Sequence, residues 1–168
     1  ETVILTCASV FAQTRYELVT DERTMTNFLT IALSQIGKKE ATNNNDGEHV
    51  EEYLKSVGLN PKGRYPYCAA GIYWAMSNAA KITGQTCPLP RTASANKMYD
   101  YAVEKGKKSK IYLARTGDLL VWKLKSSYNG HIEIVLADKG GGVLKTMGFN
   151  TGSGNQREGQ GNFIKYRS

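Results

Sequence analysis

The sequence predicts an α+β domain. Helical periodicity dominates before Ile111, short β-branched and aromatic runs between Gly, Asn and Ser turns dominate after it, and Gly140-Gly141-Gly142 marks a hairpin that makes its flanking strands antiparallel. Helices followed by a meandering sheet is the pattern of α+β rather than of alternating α/β units.

The first helix is expected from Asp21 to Ile36, where Met25, Phe28, Leu29, Ala32, Leu33 and Ile36 recur at three- and four-residue steps and Gly37 follows as a stop. The polar run Ala41-Thr42-Asn43-Asn44-Asn45-Asp46-Gly47 cannot fill a core and reads as a loop. Val50, Tyr53, Leu54 and Val57 then repeat the helical step up to Gly58. Pro66 leads into a buried helix through Ala69, Ala70, Ile72, Trp74, Ala75 and Ala79, which puts Cys68 in its first turn. After Pro88 and Pro90 a further helix is expected over Thr92 to Val103, closed by Gly106. About five strands follow, at Ile111–Ala114, Asp118–Leu124, Gly130–Ala137, Val143–Phe149 and Asn162–Arg167.

A length of 168 residues suits one domain, assigned to residues 21–168, and needs no disulfide or metal framework to fold. Residues 1–20 form an N-terminal segment that reads either as an export-signal remnant, from the mostly apolar Val3–Ala12, or as an ordered strand. Hydrophobic content of 40% and charged content of 22% are ordinary for a globular protein. No apolar run approaches the roughly 18 residues of a membrane span, so integral membrane contact is not expected. The net charge of +7 favours anionic partners, wall polymers among them, although a solvated basic face would read the same way. Zinc-finger spacing, aromatic RNA-binding signatures and basic helices are lacking, so nucleic acid is not expected. The three cysteines, Cys7, Cys68 and Cys87, contain no C-x-x-C spacing; a Cys7–Cys87 bridge leaving Cys68 free is open.

Three residues make a candidate catalytic set. At a helix N-terminus the unpaired amides and the helix dipole favour a thiolate over a thiol, which singles out Cys68 as nucleophile, although a Cys beside Ala-Ala is by itself usually a core residue. In Gly130-His131-Ile132-Glu133-Ile134-Val135-Leu136 alternation sets His131, Glu133 and Val135 on one face and three aliphatics on the core face. The face carrying His131 is then expected to meet the cysteine helix, with His131 as general base. The imidazole also needs an acceptor to fix its tautomer. Alternation puts Thr146, Gly148 and Asn150 on a common face, and the Asn150 side-chain oxygen suits that task.

These residues resemble the CHAP and NlpC-like cell-wall amidases and endopeptidases. Pro66-Tyr67-Cys68-Ala69-Ala70-Gly71-Ile72-Tyr73-Trp74 is similar to their Pro-Trp-Cys-Ala-Ala-Phe block, Thr116-Gly117-Asp118-Leu119-Leu120-Val121-Trp122 to their Pro-Gly-Asp strand, Gly130-His131-Ile132-Glu133-Ile134-Val135 to Gly-His-Val-Gly-Ile-Val, and Gly148-Phe149-Asn150-Thr151 to Glu-Gly-Asn-Thr. The likeness runs from about Ile31 to Arg167. It implies a papain-like fold, a Cys-His-Asn hydrolase without metal or cofactor, a peptidoglycan peptide as substrate, and an exported location in a bacterial or phage setting. By the same resemblance Tyr65 is a second oxyanion donor beside the Cys68 amide, with Tyr67 as a further candidate contact; the Glu133 carboxylate on the histidine's face either favours the imidazolium or binds substrate, although a solvated strand residue would read the same way. Two departures stand out: Gly148 occupies a place where many relatives carry Glu, and Glu133 replaces a small residue beside the histidine. A protein-directed protease or acyltransferase on the same scaffold, or an inactive wall-binding module, are the alternatives.

Overall fold

The computed structural model describes residues 2–5, 21–123, 130–152 and 159–168. Four helices, α1 (Glu22–Leu33), α2 (Glu48–Ser56), α3 (Cys68–Thr83) and α4 (Ala95–Glu104), precede most of a mixed α+β domain's sheet. Its strands are β1 (Thr2–Leu5), β2 (Lys108–Ser109), β3 (Leu119–Trp122), β4 (His131–Asp138), β5 (Leu144–Thr151) and β6 (Gly161–Arg167). They form one antiparallel sheet in the order β2-β1-β3-β4-β5-β6. No described helix is long and apolar enough to cross a membrane.

Local chemistry fixes the helix ends. The Asp21 side chain accepts from the Arg23 amide to cap α1, and the Ser94 side chain accepts from the Lys97 amide to cap α4. Gly84, in the left-handed conformation, closes α3 with its amide on the Ala80 and Lys81 carbonyls. Because Ser94 is the cap, α4 begins later than the expected Thr92.

The small residues of α3 let it pack closely on its neighbours. Ala69, Ala70, Ala75, Ala79 and Ala80 are buried, and α1 lies against the helix with the Thr24 and Thr83 hydroxyls hydrogen-bonded at 2.6 Å. Gly71 carries the closest approach: a β-carbon there would stand 2.3 Å from the Phe149 ring, so only glycine lets β5 come this near. Ile132, Ile134, Met147 and Phe149 share one buried cluster with Ala69, Ile72 and Met76, and the helix therefore covers the aliphatic face of the sheet. This corrects the expectation that the His131 face would meet the cysteine helix. Leu120, Val135 and Leu144 form a smaller cluster on the opposite face.

One expected strand is absent. Ile111–Leu113 is a 3₁₀ turn, and its three side chains are exposed. Strand pairing with β1 is made instead by Lys108–Ser109, just before this turn. The other four expected strands are present as β3 to β6, and β4 and β5 are antiparallel neighbours as the glycine hairpin requires. The expected end of the second strand, Leu124, lies outside the described residues, as does Cys7.

Candidate active site

Cys68 is the first residue of α3 and is 5% exposed. The segment that delivers it is held from behind. Tyr67 is fully buried, its hydroxyl donating to Glu40 Oε1 at 3.2 Å, while the Asn45 amide donates to Glu40 Oε2 at 2.8 Å and the Asn45 side chain to the Arg64 carbonyl at 3.2 Å. The Tyr67 ring is thus a core anchor for the nucleophile turn, which corrects its assignment as a substrate contact. Tyr65, in contrast, is 44% exposed.

His131 opens β4 opposite Trp122 of β3, whose ring lies 5.7 Å away. At this end of the strand the imidazole comes near enough to the Cys68 side chain for the sulfur to favour its charged form, although the two lie on elements that meet through the other face. Its Nε2 donates to Glu133 Oε1 at 3.1 Å, leaving Nδ1 for the thiol. Thiol, imidazole and carboxylate therefore form a continuous chain.

The carboxylate is itself fixed on every side. Thr146 Oγ1 donates to Glu133 Oε2 at 2.6 Å, Arg167 Nε donates to the same oxygen at 2.9 Å, and Arg167 Nη2 donates to Oε1. Arg167 in turn lies over the Trp122 ring at 5.3 Å. Glu133 has no exposed surface, so it is not available as a substrate contact and acts on His131 instead. Burial alone would raise its pKa, yet the bonds from Arg167, His131 and Thr146 hold it down to about 2. Burial likewise opposes charge on His131, but the Cys68 and Glu133 side chains outweigh it and lift its pKa to about 9.

The space for Glu133 is made by Gly148. Ile134 pairs with Met147, which sets Glu133 opposite Gly148, and a β-carbon on Gly148 would stand 3.0 Å from Glu133 Cγ and 3.2 Å from Oε1. The missing side chain at Gly148 on β5 thus leaves the space that the Glu133 carboxylate enters from β4.

Asn150 occupies a different setting. The β5–β6 register shifts between Gly148 and Thr151, and Asn150 has a left-handed φ of 55°. A β-carbon on Gly148 would meet Thr151 Cγ2 at 2.3 Å, so Thr151 rather than Asn150 continues the Thr146–Gly148 face. The Asn150 Oδ1 is buried and has no hydrogen-bond partner among the described residues. The contact expected from Asn150 to His131 is made by Glu133.

Thr146 and Arg167 carry no motif of their own in the sequence. A buried carboxylate needs a cation and donors, and that requirement, applied to Glu133, points to the basic residues of the last strand. No family model, curated protein or solved structure matches the chain.

Proposed function

We propose that this chain is a cysteine amidohydrolase with a papain-like arrangement, acting on a peptide of the bacterial cell wall through Cys68, His131 and Glu133. The observation that carries the reading is the buried chain of contacts from thiol to imidazole to a fully hydrogen-bonded carboxylate. A structural cysteine in an apolar helix has no use for a histidine whose second nitrogen is oriented by a clamped carboxylate. The wall peptide, the exported setting and the papain-like kinship rest on the motif resemblance.

In this reading the Cys68 thiolate attacks the amide carbonyl, and the tetrahedral oxyanion is met by the Cys68 backbone amide in the unpaired first turn of α3. The His131 imidazolium, favoured at neutral pH by its raised pKa, gives its proton to the leaving nitrogen. The C–N bond breaks, an amine departs and a thioester remains. Neutral His131 then takes a proton from water, hydroxide adds to the thioester, and collapse releases a carboxylic acid and returns the thiolate–imidazolium pair. Glu133 stays ionised throughout and keeps the ring in the orientation that presents Nδ1 to sulfur. Against the inactive-module alternative, Glu133 supplies a carboxylate in the space beside Gly148.

The test is alkylation of Cys68 by iodoacetamide at mildly acidic pH, followed by mass spectrometry of products from purified walls. Rapid modification of Cys68 and release of new amine and carboxyl ends are expected. An inert thiol together with undigested walls would end the proposal.

A further inference from the structure

A cleft of about 430 Å³ opens beside the nucleophile turn, lined by Val57, Leu59, Tyr65, Pro66, Arg91, Ala93 and Lys97 among others. Its position is set from both sides of the candidate site. Tyr65 and Pro66 directly precede the Tyr67-Cys68 turn, and the opposite wall runs through Ser94 to Ala95, whose Cβ lies 3.2 Å from the β-carbon position of Gly130, the residue before His131. The cleft is therefore lined by residues adjoining both the Cys68 turn and the start of the His131 strand.

The lining has a consistent charge. Among the described residues its two ionisable side chains other than Tyr65 are Arg91 and Lys97, both exposed, and no carboxylate lines it. Neither forms an ion pair among the described residues. Arg91 is held in place, its Nε donating to the Ser56 carbonyl at 2.8 Å, which leaves the terminal nitrogens of a pre-oriented fork unspent. The capped N-terminus of α4, with its partial positive charge, adds to the same wall. Val57, Leu59 and Ala93 are half-buried and offer an apolar floor.

We propose that this cleft is a subsite for a carboxylate-bearing segment of the peptide substrate, with Arg91 and Lys97 as its cationic contacts; the substrate class rests on the amidohydrolase reading above. Two cations with an apolar floor suit a short acidic peptide better than a small inorganic anion, which would leave the floor uncovered.

The experiment measures calorimetric binding to the Cys68→Ala protein, which cannot turn the ligand over. The probes are a stem tetrapeptide with free carboxyl groups and the same peptide with every carboxyl converted to carboxamide. The free-carboxyl peptide is expected to bind more tightly, and Lys97→Gln or Arg91→Gln to weaken it by about tenfold each while leaving the amidated peptide unaffected. Among the described residues the Lys97 side chain makes no hydrogen bond or ion pair, so that variant decides the matter if Arg91→Gln unfolds. Equal affinity for the two peptides, or no binding of either at millimolar concentration, overturns the subsite. Competition by inorganic phosphate as effective as by the free-carboxyl peptide makes it a general anion site and overturns it as well. Thiol reactivity is read separately on the unsubstituted protein, so an inert Cys68 with preserved carboxylate binding removes catalysis and leaves the subsite standing.

Discussion

Two stretches of neighbouring strand flank the candidate histidine and are built differently. On the β4 side Glu133 is buried with both oxygens fully engaged by His131, Thr146 and Arg167. On the β5 side the bulge carries Asn150 and Thr151, whose buried side-chain oxygens Oδ1 and Oγ1 lack partners among the described residues. Orientation of an imidazole requires an acceptor that cannot move, because each freely rotating partner is another geometry in which the proton points away from the reaction. The first stretch meets that need and the second does not.

The largest effects should come from the residues that both readings share. Cys68→Ala should abolish hydrolysis and leave the fold intact, since alanine in an alanine-rich helix costs only about 1 kcal/mol of packing. His131→Ala should lose a comparable amount, and the double variant should be no worse than either single one, because both serve one step. Turnover of purified walls, checked beside circular dichroism, gives the answer; a strongly additive double variant would mean separate roles.

Glu133→Gln separates the two stretches. It removes the charge but keeps the shape, and turnover should fall by roughly 10²- to 10⁴-fold, as loss of an orienting carboxylate does elsewhere. The pKa of His131 should drop from about 9, because one of the groups that raise it is gone. Stability should report the same clamp. Glu133 is depressed from 4.5 to about 2, so its contribution is complete above pH 4.5 and is lost as pH falls through 2. His131 is raised from 6.5 to about 9, so its contribution is complete below pH 6.5 and is lost as pH rises through 9. Urea midpoints followed from pH 2 to 10 should peak between those limits, and Glu133→Gln should flatten both flanks. An unchanged acid flank would show that the carboxylate is not held as the geometry indicates.

Much of this site was legible in the sequence. Period-two alternation put His131 and Glu133 on one face and the aliphatics of β4 on the other, and helical periodicity with Pro66 put Cys68 in a first turn; both patterns are local and survived folding. What failed was whatever depends on insertion or on layer order. A bulge cannot be read from alternation, which carries Asn150 onto the Thr146–Gly148 face although Thr151 holds that place. Which face α3 covers is a long-range choice made by Ile132, Ile134 and Phe149 together. Tyr67 carries no mark of its burial beyond Glu40, a residue distant in sequence. Ile111-Tyr112-Leu113 has the composition of a strand but forms an exposed 3₁₀ turn.

The space shared between the strands predicts an intermediate effect. Gly148→Ala should cost about 1–3 kcal/mol in stability and about tenfold in turnover, because the new methyl group must displace Thr151 Cγ2 and crowd Glu133 Cγ. Glu133→Gly should be nearly inactive. Combining it with Gly148→Glu returns a carboxylate to the same space from β5, and should recover at least part of the lost turnover. If the combined variant is no better than Glu133→Gly alone, the two positions are not equivalent sources of the orienting group.

The smallest effect, and the sharpest discrimination, is expected at Asn150. Its amide oxygen makes no hydrogen bond in the described structure, so truncation leaves no partner stranded and Asn150→Ala should keep turnover within about threefold of the parent. Its backbone is another matter. At a φ of 55° asparagine is better tolerated than alanine, so the same variant should lose about 1 kcal/mol of stability. Asn150→Gly should recover much of that loss, because glycine adopts this conformation without a clash. Stability and activity are therefore predicted to part company at this residue: one falls with alanine and returns with glycine, and the other stays level across both. A tenfold or greater loss of turnover in Asn150→Ala, with no recovery in Asn150→Gly and Asn150→Asp retaining activity, would transfer the orienting role from β4 back to the bulge of β5 and leave Glu133 as a structural anchor for Arg167.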